Sequence, residues 1–156
     1  MKNKIFIFDL DDTLYKEIDF LYSAYREIAG WIELKFSLKG IYAFMLETYK
    51  EQADVFSRLI DTYDLSLTKA DLLSIYRSHR PNIRLELDTL KALEVLKQDF
   101  ILGMITDGRS ITQRNKFQAL GLEQFIENEN LVISEEFGSE KPSERNFMFF
   151  QDKYAD

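Results

Sequence analysis

Hydrophobic residues recur along this chain with two different periods, and the switches between them lay out its elements. Residues Lys4–Asp9 (KIFIFD) are almost continuously apolar, β-branched or aromatic, and end at an acid. Such a run predicts a strand buried on both faces, as inside a parallel sheet, because a strand with one wet face alternates. Phe100–Thr106 (FILGMIT) has the same character and runs into Asp107-Gly108, and Asn130–Ser134 (NLVIS) predicts a third, shorter strand. Between the second and third strands the pattern predicts a helix. Ser110 stands at its N-cap, Gln113 completes a capping box, and Gly121 suits the residue just past its end. Before the second strand, Asp88 predicts the cap of a helix through about Gln98, with Leu90, Leu93 and Leu96 inward. After the third, Pro142 suits the first turn of a helix from Ser143 towards Tyr154. Strands alternating with helices predict an α/β fold, a parallel sheet with right-handed crossovers.

Residues 15–85 break this rhythm and are too many for one connection in such a fold. Ile18, Leu21, Tyr25, Ile28 and Ile32 recur at helical spacing, as do Ile41, Phe44, Met45 and Tyr49. Val55, Leu59 and Tyr63 follow, then Leu72, Ile75 and Tyr76 after a Thr68 cap. The expectation is a bundle of four amphipathic helices over 15–85, inserted into a sheet domain made of 1–14 and 86–156.

Composition narrows the chemistry. The 156 residues are 46% hydrophobic and 30% charged, a globular balance, and 13 Phe with 8 Tyr supply core bulk. The net charge of −7 argues against a broad nucleic-acid footprint, which asks for clustered Lys and Arg. A small anionic ligand needs only local cations and backbone N–H groups, so it is not excluded. With no cysteine, disulfides, thiolate metal sites and cysteine nucleophiles are ruled out. The apolar run Ile5–Phe8 is too short for a secretory leader, and no segment approaches the ~20 apolar residues of a membrane span. A cytoplasmic protein without membrane contact is the expectation.

Three clusters of polar residues follow the three strands. The first strand delivers Asp9-Leu10-Asp11-Asp12-Thr13-Leu14. Ligands of open parallel sheets bind beyond the carboxyl ends of the strands, so these acids fall where chemistry is expected. Two close carboxylates repel, and a cation between them or a proton on one relieves the repulsion. Magnesium accepts such carboxylate oxygens together with substrate phosphate. The bland alternative is a turn that caps the next helix. The second strand ends in Thr106-Asp107-Gly108-Arg109 before a helix, where a hydroxyl, a glycine and a helix N-terminus suit an anion, or merely form an ordinary turn. After the third strand, Lys141 precedes Pro142 and can either reach the same cleft or stay solvated.

In their order and placement these motifs resemble the haloacid dehalogenase-like superfamily of phosphatases. Residues 9–14 match its first motif, Thr106-Asp107-Gly108 its second and Lys141-Pro142 its third. The helical insertion after the first motif is similar to that superfamily's α-helical cap. The resemblance implies a Rossmann-like core, Mg2+ as cofactor and a small phosphorylated metabolite as substrate. It also implies roles: Asp9 as nucleophile, Asp11 as general acid and base, and Asp9 with the backbone carbonyl of Asp11 as metal ligands. Thr106, Asp107, Gly108 and Lys141 would hold the phosphoryl group. Asp11 favours phosphate over halide chemistry, since dehalogenases proper generally lack an acid there. Substrate choice would lie in the cap, where Arg77, His79 and Arg80 are candidates, although cations near a helix end also suit its dipole. Tyr22 and Tyr25 are core or rim first, and substrate contacts second.

The resemblance also implies a fourth motif, an acidic pair after a further strand. The chain ends before one, and Asp152 and Asp156 are poor substitutes. The expectation is a truncated form lacking roughly 50–70 residues, at ~30 per strand–helix unit. The first strand would then be an exposed edge open to self-association by strand pairing. A phosphomutase or dehalogenase relative, an inactive fragment and a binding protein without turnover stay open as alternatives.

Overall fold

Three apolar runs do become strands: β1 (Ile5–Phe8), β2 (Ile101–Thr106) and β3 (Leu131–Ile133). They are seen in a computed structural model that describes residues 4–155. All pair in parallel, in the order β1-β2-β3, with Phe8 opposite Met104 and Thr106 opposite Ile133. In-register parallel pairing brings all three carboxyl ends to one edge of the sheet. β2, in the centre, is buried from Leu102 to Thr106. β1 is not buried on both faces as expected, and Phe6 is 41% exposed. Among the described residues β1 pairs with β2 alone, so one side has no neighbour to cover it.

Helix α5 (Leu87–Asp99) precedes β2, α6 (Ser110–Ala119) follows it, and α7 (Ser134–Phe137) and α8 (Glu144–Lys153) follow β3. Phe150 of α8 packs with Ile105 and Val132 in the sheet core. Gly103 permits this approach, because a Cβ there would lie 2.9 Å from Phe150 Cε1.

Local cap signals were less reliable than periodicity. Ser110 is the first residue of α6 and not its cap; its N–H donates to Glu135 Oε2 at 2.7 Å, so an acid from beyond β3 caps the helix instead. Gly121 does take the left-handed conformation expected past the helix end, with φ 66°. Asp88 lies inside α5, after Glu86 at the cap position, and pairs with Lys91 at 3.7 Å. Pro142 sits in a turn ahead of α8, and Ser143 caps that helix through the Arg145 N–H. Asp156 lies outside the described residues.

The chain divides into two compact units, residues 4–20 with 80–155, and Leu21–His79. The second unit is shorter than the 15–85 segment at both ends: 80–85 fall in the sheet unit, and so do 15–20, where Tyr15, Glu17 and Phe20 bond or pack to Asp11, Asp12 and Lys116. It is all helix: the rest of α1 (Glu17–Phe36), then α2 (Ile41–Lys50), α3 (Val55–Thr62) and α4 (Lys69–Ser78). Ile28, Ile32, Ile41, Met45, Leu59 and Leu72 form its core, at the spacings the sequence shows. Thr68 and Asp71 form a reciprocal capping box on α4. No helix among the described residues is long and apolar enough to cross a membrane.

Candidate functional site

The loop after β1 is anchored by apolar residues and leaves its acids to other work. Leu10 and Leu14 are buried, and the Leu10 carbonyl accepts N–H bonds from Thr13 at 3.3 Å and Leu14 at 3.0 Å. Asp12 occupies the left-handed region, with φ 54°, and accepts the Glu17 N–H at 2.9 Å. The turn-and-cap reading therefore holds for Asp12. It does not describe Asp9 or Asp11.

Asp9 stands at the carboxyl end of β1 with its side chain 44% exposed. Its Oδ1 accepts from Lys141 Nζ at 2.6 Å and from the Leu10 N–H at 2.7 Å. Asp11 is more enclosed. Its Oδ1 accepts from the Tyr15 hydroxyl at 2.6 Å and Lys116 Nζ at 2.7 Å, and its Oδ2 from Gln113 Nε2 at 2.9 Å.

The end of β2 meets the same cluster. Thr106 is buried, with Oγ1 2.6 Å from Gln113 Nε2. Asp107 Oδ1 accepts the Lys141 N–H at 3.1 Å, which ties the segment after β3 to the end of β2. Lys141 Nζ also donates to the Ile105 carbonyl at 3.3 Å. Gly108, with φ 138°, gives its N–H to Ser134 Oγ at 2.9 Å, so it meets an anion only by exchanging that bond.

The electrostatics of this edge are negative. The carboxyl of Glu17 is pushed up first by burial and then by the charge of Asp11, with Asp12 and Asp9 adding to it and Lys116 opposing. Among the described residues no group of three His, Asp or Glu side chains is placed to hold a metal. One carboxylate from Asp9 and one carbonyl from Asp11 suit magnesium, which keeps several waters and takes further oxygens from substrate phosphate.

Thus Asp9, Asp11, Thr106, Asp107, Gly108 and Lys141 gather at one sheet edge. Arg77 and His79 belong to the second unit and Arg80 to the sheet unit. Arg77 is in the last turn of α4, and His79 is buried at its C-cap with Nδ1 2.8 Å from the Tyr76 carbonyl. Arg80 lines a cavity of about 380 Å³ with Pro81, Asn115, Gln118 and Ala119. Asp152 is within α8. Sequence reasoning missed Tyr15, Gln113 and Lys116. A signal for the last two was present: with Phe117 and Leu120 they fall at i, i+3, i+4 and i+7, so two polar side chains sit on the inward stripe of α6.

Residues 6–153 match the model for haloacid dehalogenase-like hydrolases. A glyceraldehyde 3-phosphate phosphatase from Methanocaldococcus jannaschii is 29% identical over 148 residues, covering 87% of this chain and 64% of that protein. A second, from Methanopyrus kandleri, is 28% identical, covering 93% of this chain and 67% of that one. The chain therefore spans about two thirds of the length of these curated relatives. Among solved structures, the HAD-hydrolase YfnB from Bacillus subtilis, bound to magnesium, has the same fold. Its TM-score is 0.63 at 20% identity, over 96% of this chain and 72% of that one.

Proposed function

We propose that this chain, which belongs to the haloacid dehalogenase-like hydrolase family, is a magnesium-dependent phosphatase working through an aspartyl-phosphate. The observation that carries the reading is the 2.6 Å pair of Lys141 Nζ and Asp9 Oδ1 at the carboxyl edge of a parallel sheet. A carboxylate there is exposed enough to reach a substrate and is oriented by a cation.

Phosphoryl transfer asks the protein mainly for positioning and charge stabilisation. Asp9 attacks phosphorus, and an Asp9 O–P bond forms as the bond to the leaving oxygen breaks. Asp11 gives that oxygen a proton. It then takes one from a water whose oxygen displaces Asp9, releasing inorganic phosphate. Lys141 offsets negative charge on Asp9 and on the phosphoryl oxygens. Thr106, Asp107 and Gly108 run from the end of β2 towards the start of α6, where a hydroxyl and backbone N–H groups suit those oxygens. Magnesium, held by Asp9 and the carbonyl of Asp11, would supply further charge neutralisation at the phosphate. The relatives named for glyceraldehyde 3-phosphate support a small phosphorylated metabolite as substrate.

Hydrolysis of an aryl phosphate, with and without magnesium, tests the reading beside Asp9→Asn. Metal-dependent release that the substitution abolishes is expected. Folded wild-type protein that releases no phosphate with magnesium present would overturn it.

A further inference from the structure

Lys116 is 3% exposed, and a charge so far from water is held only by opposite charges and hydrogen bonds. Its partners converge on one acid. Nζ donates to Asp11 Oδ1 at 2.7 Å, lies 4.0 Å from Glu17 Oε1, and sits 4.5 Å over the Phe20 ring. The Tyr15 hydroxyl donates to the same Oδ1 at 2.6 Å, while Oδ2 receives only the neutral amide of Gln113, at 2.9 Å. Asp11 is thus gripped through one oxygen by a phenol from its own loop and by a cation from a helix 105 residues further on. A proton donor on a mobile loop would spend much of its time outside hydrogen-bond reach of the leaving oxygen, and reach is the first requirement of general acid catalysis.

We infer that Lys116 and Tyr15 are positioning residues for proton transfer by Asp11. The inference rests on the phosphatase reading above and deepens it. In the first half-reaction the proton passes from Asp11 to the departing oxygen as the Asp9 O–P bond forms. A leaving group stable as an anion needs no such proton. In the second half-reaction Asp11 accepts a proton from water for every substrate alike. Mispositioning Asp11 therefore slows the first step only for poor leaving groups, and slows the second step for all.

Rapid-mixing kinetics on the full chain with magnesium separate these cases, using 2,4-dinitrophenyl phosphate and a simple alkyl phosphate as probes. In Lys116→Met, a burst of dinitrophenolate near one equivalent per site is expected, at a rate within about threefold of wild type, before a slow steady state. Turnover of the alkyl phosphate is expected to fall about 10- to 100-fold, part of the factor a general acid supplies. Tyr15→Phe should move both readouts the same way by less, and it carries the test if circular dichroism shows Lys116→Met unfolded. Equal losses in burst rate and alkyl turnover, or no loss in either, overturn the inference and leave the phosphatase reading standing. Wild-type protein that releases neither product overturns both.

Discussion

Gly103→Ala probes the contact that seats α8 on the sheet. The added Cβ would lie 2.9 Å from Phe150 Cε1, 3.2 Å from Phe150 Cζ and 3.2 Å from Ile5 Cδ1. Carbon atoms prefer roughly 3.5–4.0 Å, so the ring must withdraw by ~0.5–1 Å. Phe150 is 1% exposed and packs with Ile105 and Val132, so it has little space to withdraw into. Overpacking of this kind costs about 1–3 kcal/mol. Stiffening of the unfolded chain by alanine returns ~0.4–1 kcal/mol, because the backbone at Gly103 lies outside the left-handed region. The net expectation is a loss of about 1–2 kcal/mol, read as a lower urea midpoint at unchanged slope. Shortening the ring gives the decisive arm. In a Phe150→Leu background, Gly103→Ala should cost less than half as much, since the clash is with the ring. Equal costs in both backgrounds, or a Gly103→Ala protein as stable as wild type, would refute the steric argument.

Two titrations in the helical unit give further predictions. Asp54 caps α3, accepting the Ser57 N–H at 3.2 Å, and pairs with Lys69. Its carboxyl is lowered from 3.8 to about 2, first by the Lys69 hydrogen bond and then by the Ser57 N–H. A lowered carboxyl stabilises the fold above pH 3.8, and that contribution is lost as the pH falls through about 2. Because the pair is about half exposed, solvent screens it, and Asp54→Ala should cost only about 1 kcal/mol at neutral pH. Urea midpoints of the two proteins should converge between pH 4 and 2, and parallel curves would contradict the assignment. Tyr25, 5% exposed, has its phenol pushed up from 10.0 to about 12, first by burial and then by Tyr76, Tyr49 and Asp54. Stability from this group is complete below pH 10 and lost as the pH rises through about 12, so Tyr25→Phe should blunt the alkaline fall followed by tyrosinate absorbance.

Where a signal is periodic, the sequence showed it. All three strands and the four helices of the second unit stand on apolar spacing that burial enforces. The Thr68 cap was readable because its backbone partner lies within one helical turn, and the structure adds Asp71 as the reciprocal half of a box. The same rule failed at Ser110, since Ser-x-x-Gln is also compatible with both residues turning to distant partners. Glu135 takes the Ser110 N–H, and Gln113 reaches Asp11, 102 residues away. Lys116 and Asp11, 105 residues apart, leave no local trace of their pairing. The loop acids were legible because they follow strands of a parallel sheet, whose carboxyl ends share an edge. The donors that grip Asp11 were not, because a tertiary contact chooses among side chains that look alike in one dimension.

Helix α6 has 10 residues, yet it fastens three segments that are remote in sequence. Lys116 and Gln113 hold the loop after β1, Gln113 also holds the end of β2, and Arg109, Ser110 and Arg114 hold Glu135 and Glu136 beyond β3. A short element with so many dependants couples the Asp11 loop and the end of β2 to one unit of local opening. When α6 frays, the three segments lose their shared fastening together, while the ladder of β1, β2 and β3 keeps its own hydrogen bonds. The grip on Asp11 and Thr106 can therefore be lost from a chain whose sheet is still intact, while Lys141 keeps its own bonds to Asp9, Ile105 and Asp107.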